Sequence, residues 1–344
     1  MTELDKPASA RGKRFRILAI DGGGIKGIIP ASLLCDISSN ISRPVWEYFD
    51  LICGTSTGGI IALAIALNKS PEEILKLYME MAREIFPPPG HFIHKLSRRC
   101  RVILGAGAQY DTRKLARLLR EAFSSEGVPH KMIDAKTRLC IPAIDITNGK
   151  VVVYKTPHSV MQPREEVFHI DKEKQMWEIA MATSAAPTFF QPMKISDAYH
   201  VDGGIWANNP SLVGVIEAIR SGYNLTDMSV LSLGTGETAF QVEQSKASKM
   251  NMMKWGVRGL VELAFQSQSQ AVENQVASLL GPERYLRVQH QFQSKVALDD
   301  VTRLHDLCAA AHSLYRDAGT HIINRFFRDP TDRANSYSPP ATAG

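Results

Sequence analysis

Twice before Asn68, an apolar run of strand length ends in glycines and gives way to an apolar run of helical length. Arg16–Ile20 leads into Asp21-Gly22-Gly23-Gly24-Ile25-Lys26-Gly27, and an apolar helical segment then runs from Gly27 to about Ile37. Tyr48–Cys53 leads into Gly54-Thr55-Ser56-Thr57-Gly58, followed by the helix Gly59–Leu67. A strand that is apolar on both faces, a tight turn and a helix packing back is the repeating unit of a mostly parallel sheet.

The alternation continues. Ser70-Pro71-Glu72-Glu73 has the cap, the proline and the acids of a helix start, and Asp111 caps a second helix through about Phe123. Leu139–Thr147 and Lys150–Lys155 flank Asn148-Gly149, a strong hairpin signal. Met228–Leu233 predicts another buried strand and Tyr285–Val288 a short one, with helices dominating from about Lys254. With no repeat and no linker, the pattern predicts one α/β domain over 14–327. Its central sheet is mostly parallel with helices on both faces, and its part from about 250 is helical. Residues 1–13 and 328–344 lack periodicity and are expected to be mobile.

Composition narrows the function classes. A hydrophobic fraction of 44% and a charged fraction of 22% suit a globular chain with a full core. The formal charge of +5 is too small and scattered to imply nucleic acid. No apolar run approaches the roughly 20 residues that cross a bilayer, and the polar N-terminus has no secretory segment. The five cysteines are widely spaced, without the pairs that bind zinc or build a disulfide framework. The expected location is cytoplasmic, at the inner surface of the membrane. No cofactor or metal is implied.

Three short segments carry the chemistry. Gly22, Gly24 and Gly27 satisfy G-x-G-x-x-G between a strand and a helix, which suits a dinucleotide. That use also wants an acid closing the second strand, whereas Asp50 opens it, and Asp21 would repel a pyrophosphate. Bare amides at a helix start, aimed at a developing oxyanion, fit better, and a plain tight turn stays open. Gly54-Thr55-Ser56-Thr57-Gly58 matches G-x-S-x-G, the strand-to-helix elbow that lifts a serine hydroxyl clear. Gly54 and Gly58 let strand and helix approach, and the Thr57 amide is an oxyanion donor. His200-Val201-Asp202-Gly203-Gly204 offers a loop-borne acid that could act as base, though alone it reads more readily as a turn after a strand. Of the late histidines, His290, His305, His312 and His321, none has a neighbourhood that marks a triad member.

In this order the segments resemble the patatin-like phospholipase family, with its D-G-G-G-x-[RK]-G, G-x-S-x-G and D-G-[GA] signatures. Ala182–Phe190 and Ser232–Gly236 resemble further blocks of the family, so the likeness runs from about Arg16 to Gly236. The resemblance implies a patatin-like three-layer fold and hydrolysis of phospholipid acyl esters. It assigns Ser56 and Asp202 to a dyad without histidine and Gly22, Gly23 and Gly24 to an oxyanion hole. Gly27, Gly203 and Gly204 would shape the loops. Lys26 stands where many members carry arginine, which keeps the charge and loses the bidentate fork.

Glu84-Ile85-Phe86-Pro87, Leu298-Asp299-Asp300-Val301 and the length resemble the patatin-like effectors of bacterial anti-phage signalling. That resemblance implies activation by a cyclic oligonucleotide such as a cyclic dinucleotide. Residues 87–104, basic with apolar positions every four residues, are open to use as a lid, a membrane contact or an effector site. A membrane surface is the expected partner, and a homo-oligomer stays open.

Overall fold

A computed structural model describes residues 14–86, 108–156, 171–238 and 252–331. Its eight-stranded sheet is built around β1 (Phe15–Ile20). Apart from Arg16, β1 is apolar because both of its faces are covered: Leu18 and Ile20 join one core cluster, Ile17 and Ala19 the other. β1 pairs in parallel with β2 (Leu51–Gly54) on one edge and on the other with the strand Met228–Leu233.

The minor ribbon β3 (Ser124–Ser125) and β4 (Val128–Pro129) lies apart from the sheet. β5 (Arg138–Asp145) pairs in parallel with β2, and β6 (Lys150–Lys155) returns antiparallel on β5. β7 (Met193–Ile195) and β8 (Ala198–Asp202) form an antiparallel hairpin, and β8 pairs with β5. β9 (Met228–Leu233) and β10 (Tyr285–Val288) complete the order β10-β9-β1-β2-β5-β8-β7.

The helices form the outer layers. α1 (Ile28–Ser38), α2 (Thr57–Ala66), α3 (Pro71–Ile85), α4 (Thr112–Ala122) and α5 (Met176–Ser184) contribute to the larger cluster. After the single turn α6 (Gly204–Ala207), α7 (Ser211–Arg220) and α8 (Met252–Leu280) cover the opposite face through Val215, Ala218, Val272 and Val276. α9 (Leu304–Phe326) packs against α1 in the larger cluster. The result is a three-layer α/β fold with a mostly parallel sheet, as the strand–helix alternation predicts.

The differences from the sequence-based expectation are local. Val45–Tyr48 is a 3-10 turn, so β2 starts later than the apolar run does. Gly24–Gly27 is likewise a 3-10 turn ahead of α1. The β7–β8 hairpin was not expected as a pair of strands. Ser70 accepts from the Glu73 amide while Glu73 caps the Ser70 amide, and Asp111 accepts from the Arg113 amide. The two chain ends at 1–13 and 332–344, and the whole basic segment 87–104, lie outside the described residues.

One feature of β5 decides where the chemistry falls. Its N-terminal half pairs with β2, opposing Cys140 to Cys53, and its C-terminal half pairs with β8, opposing Ala143 to Asp202. Since β6 occupies the other edge along Cys140–Asp145, β2 and β8 must share one edge. They run towards each other along it, so their C-terminal ends meet.

Candidate active site

Ser56 sits at the point where β2 stops and α2 begins. Its backbone lies at φ 54° and ψ −123°, a strained region for a residue with a side chain. The strain is held from both sides. The Thr55 amide donates to the Ile20 carbonyl, and the Ser56 amide donates to Thr183 Oγ1 at 2.9 Å. Thr183 Oγ1 in turn donates to the Pro142 carbonyl. Close approach makes the elbow glycines obligatory: a Cβ on Gly58 would lie 2.1 Å from the Ile20 carbonyl oxygen, and one on Gly54 equally near the Gly58 carbonyl.

Asp202, the last residue of β8, is brought head-on to this elbow. Ser56 Oγ donates to Asp202 Oδ2 at 2.7 Å, while Asp202 Oδ1 accepts the Gly204 amide at 2.7 Å. The carboxylate is therefore clamped with one oxygen turned to the serine. Asp202 has no solvent exposure, and burial pushes its carboxyl up to about 7 against the lowering effect of these two hydrogen bonds. Gly203 donates its amide to the Thr183 carbonyl, tying the same loop to α5.

The glycine loop lies against the serine. A Cβ on Gly22 would come within 3.2 Å of Ser56 Cβ. Gly24 has φ +58°, and Thr57 Oγ1 donates to its carbonyl at 2.7 Å. Thr57 opens α2, so its amide has no acceptor one turn back. The Gly22 amide, by contrast, donates to the Asn208 carbonyl at 3.0 Å and is already engaged. Gly27 lies beside the Thr57 side chain. Among the described residues Lys26 Nζ makes one bond, to the Gly236 carbonyl at 3.1 Å, a single-point anchor as expected of lysine in place of arginine. Burial lowers its ammonium pKa, opposed by Glu262, Glu237 and Asp21.

Ser56 and Asp202 open onto a narrow apolar slot of about 50 Å³, lined by Ile60, Met81, Phe86, Leu115, Phe189 and Phe190. None of the described histidines lines it. His312 instead pairs with Asp36 on the surface. The two segments singled out by their likeness to anti-phage effectors both reach this slot: Phe86 and Leu298 line it, and the neighbouring Asp299 accepts from Tyr110.

The dinucleotide reading of the loop finds no support. Asp50 lies at the opposite end of β2 and accepts from the Arg16 amide. Asp21 is buried in a bidentate pair with Arg287 of β10. Among the described residues no group of three or more His, Cys, Asp or Glu could hold a metal ion. Four described cysteines, Cys35, Cys53, Cys140 and Cys308, are free thiols.

Several contributors were invisible in sequence. Thr183 lies in the Ala182–Phe190 block, whose resemblance to a family block implied a role but not which residue plays it. Asn208 and Phe265 carry no local pattern and reach the site through the fold alone.

Comparison with known proteins places the chain in a family. Residues 18–213 match the family model described as patatin-like phospholipase. A cGAMP-activated phospholipase of Vibrio cholerae is 35% identical over 263 residues, 71% of each chain. A protein of the same description from Escherichia coli is 32% identical, covering 72% of this chain and 68% of that one. Another from Pseudomonas aeruginosa is 29% identical over 323 residues, 92% of this chain and 90% of its own. With the model match spanning more than half of its length, the chain belongs to the patatin-like phospholipase family.

Proposed function

We propose that this protein is a phospholipid acyl hydrolase that works through Ser56 and Asp202 and is switched on by a cyclic dinucleotide. The observation that carries the reading is the buried 2.7 Å hydrogen bond from Ser56 Oγ to Asp202 Oδ2, set on a positive-φ elbow at the mouth of an apolar slot. A serine paired with a carboxylate, a glycine loop beside it and apolar walls at the mouth of the site together suit acyl transfer from a lipid ester.

In the first half-reaction Ser56 Oγ attacks the ester carbonyl and its proton passes to Asp202 Oδ2. Negative charge collects on the former carbonyl oxygen. The amides of Gly23, Gly24 and Thr57 are the donors we assign to it, while Gly22, engaged by Asn208, holds the loop in place. The tetrahedral adduct collapses, the lysolipid oxygen leaves with the proton from Asp202, and the fatty acyl group stays on Ser56. Water then gives a proton to Asp202 and attacks the acyl-enzyme. Fatty acid departs and the proton returns to Ser56. An ordinary aspartate, with a pKa of roughly 3.9, is a weak base. Burial raises the Asp202 carboxyl to about 7, which makes it a better one.

Activation rests on the relatives. Three proteins covering at least two thirds of this chain are described as cGAMP-activated phospholipases, and we extend that control, with a role in anti-phage defence, to this chain. The proposed site of action is the inner face of the membrane. No described helix is long and apolar enough to cross a membrane, so lipid would be met at the bilayer surface.

The test is fatty-acid release from mixed phospholipid vesicles by wild type and Ser56→Ala, each with and without a panel of cyclic dinucleotides. Release that depends on one nucleotide and falls by about a thousandfold or more in the variant is expected. Release that Ser56→Ala retains would overturn the Ser56 mechanism, and release indifferent to every nucleotide would overturn the switch.

A further inference from the structure

Beside the apolar slot lies a second, larger and more polar cavity of about 300 Å³. The glycine loop is their common rim: Gly22 and Gly23 line the larger space and Gly24 the smaller. Phe265 and Leu298 line both, so two side chains divide one continuous face. We propose that this cavity is a headgroup subsite, built for a phospholipid headgroup that carries both a phosphate and an amine. The proposal rests on the hydrolase reading and names the substrate class of that same site.

The charges in the cavity come in opposed pairs. Lys26 and Lys295 supply ammonium groups; Glu237 and Glu262 supply carboxylates. Asp21 also reaches the wall but is committed to Arg287. Lys26 is placed for the phosphate. Its Nζ rests on the Gly236 carbonyl, and the preceding residue, Thr235, donates to the Gly22 carbonyl at 2.8 Å. The ammonium therefore stands just beyond the loop, where a phosphate one glycerol carbon from the ester would fall. It has one acceptor among the described residues and three protons to give.

The amine has acceptors further round the wall. Glu262 pairs with Lys295, whose side chain is 63% exposed, and such a pair is held weakly enough to yield to a ligand. Glu237, on the same wall, supplies a second carboxylate, and buried Asn208, whose Nδ2 donates to Ser269, fixes the wall behind. An anionic headgroup would find the carboxylates repulsive, whereas a zwitterion meets both signs. The volume agrees: at about 30 Å³ per water-sized group, the cavity takes roughly ten non-hydrogen atoms, and a phosphoethanolamine needs about eight.

The experiment uses the full chain with saturating cGAMP and vesicles of a non-hydrolysable ether-lipid carrier. Each preparation is doped with either phosphatidylethanolamine or phosphatidylglycerol, and kcat/KM is compared as a ratio, which cancels any general loss of activity. Wild type should prefer phosphatidylethanolamine by fivefold or more. Glu262→Lys should cut that ratio at least fivefold, and Lys26→Met should lower both substrates alike, since both carry the phosphate. If Glu262→Lys does not fold, Glu237→Gln provides the same reading of the ratio.

A wild-type ratio near one, or a ratio that neither carboxylate variant moves, overturns the subsite. So does an unchanged ratio accompanied by a shifted cGAMP requirement, which would assign the cavity to the activator. A p-nitrophenyl acyl ester, which has no headgroup, separates the two levels. If wild type cleaves it while treating both lipids alike, the hydrolase stands and the subsite falls. If wild type cleaves neither ester nor lipid, both readings fall.

Discussion

Asp202 concentrates the conflict between stability and activity at a single carboxyl. Burial raises it to about 7, so at neutral pH the folded protein holds back a proton that the unfolded chain gives up. Only the carboxylate can accept the serine proton, and kcat/KM on a soluble ester should therefore rise through a single ionisation near pH 7. A profile flat from pH 5 to 9 would remove Asp202 from that role. The linkage has the opposite sign for stability. A carboxyl raised on folding contributes stability that is fully present below about pH 4 and lost as pH rises through about 7. Asp202→Asn has no such ionisation. It should be inactive, yet more stable than wild type at pH 8 by up to roughly 4 kcal/mol, with the gap closing near pH 4. Thermal melts of both proteins across that range would check it.

At the scale of single elements, the two helices that follow the chemistry start in different ways. α3 opens with a solvent-facing capping box between Ser70 and Glu73. Ser70→Ala should cost about 1 kcal/mol in chemical denaturation and leave ester turnover unchanged. α2 opens on the strained Ser56 and packs so close to β1 that a side chain at Gly58 would strike the Ile20 carbonyl. Overpacking of this kind typically costs about 1–3 kcal/mol, and here the backbone that yields carries the nucleophile. Gly58→Ala should accordingly lose both stability and at least tenfold in kcat. A variant that loses only stability would mean the elbow tolerates displacement.

Across the whole molecule, the sheet edges converge on the glycine loop. Arg287, from the edge strand β10, reaches over β9 to grip Asp21 bidentately, with Ser232 as a further acceptor. Both side chains are at most 7% exposed. Removing one partner strands the other charge in the core, so Arg287→Leu should destabilise by about 3–5 kcal/mol. Asp21→Asn in that background should recover part of the loss, measured by urea unfolding. Failure of the second change to restore any stability would argue that Arg287 acts through packing alone.

Much of this architecture is legible in the chain. β9 coincides with Met228–Leu233, because a strand buried on both faces leaves a largely apolar run, and β10 with the short run Tyr285–Val288. The caps at Ser70 and Asp111 and the elbow at Ser56 were legible for the same kind of reason: each is set by residues within a few positions of each other. Local chemistry thus determined the helices, the parallel strands and the elbow at Ser56, while Asp202 was singled out by the resemblance. Tertiary structure alone decided that β2 and β8 meet end to end on one edge of β5, which turns Ser56 and Asp202, 146 residues apart, into a hydrogen-bonded pair. It also decided that Asn208 takes the Gly22 amide and that Arg287 neutralises Asp21. Strand pairing, burial and the resulting shift of a carboxyl depend on what the rest of the chain brings to a position, and no stretch of neighbouring residues encodes that.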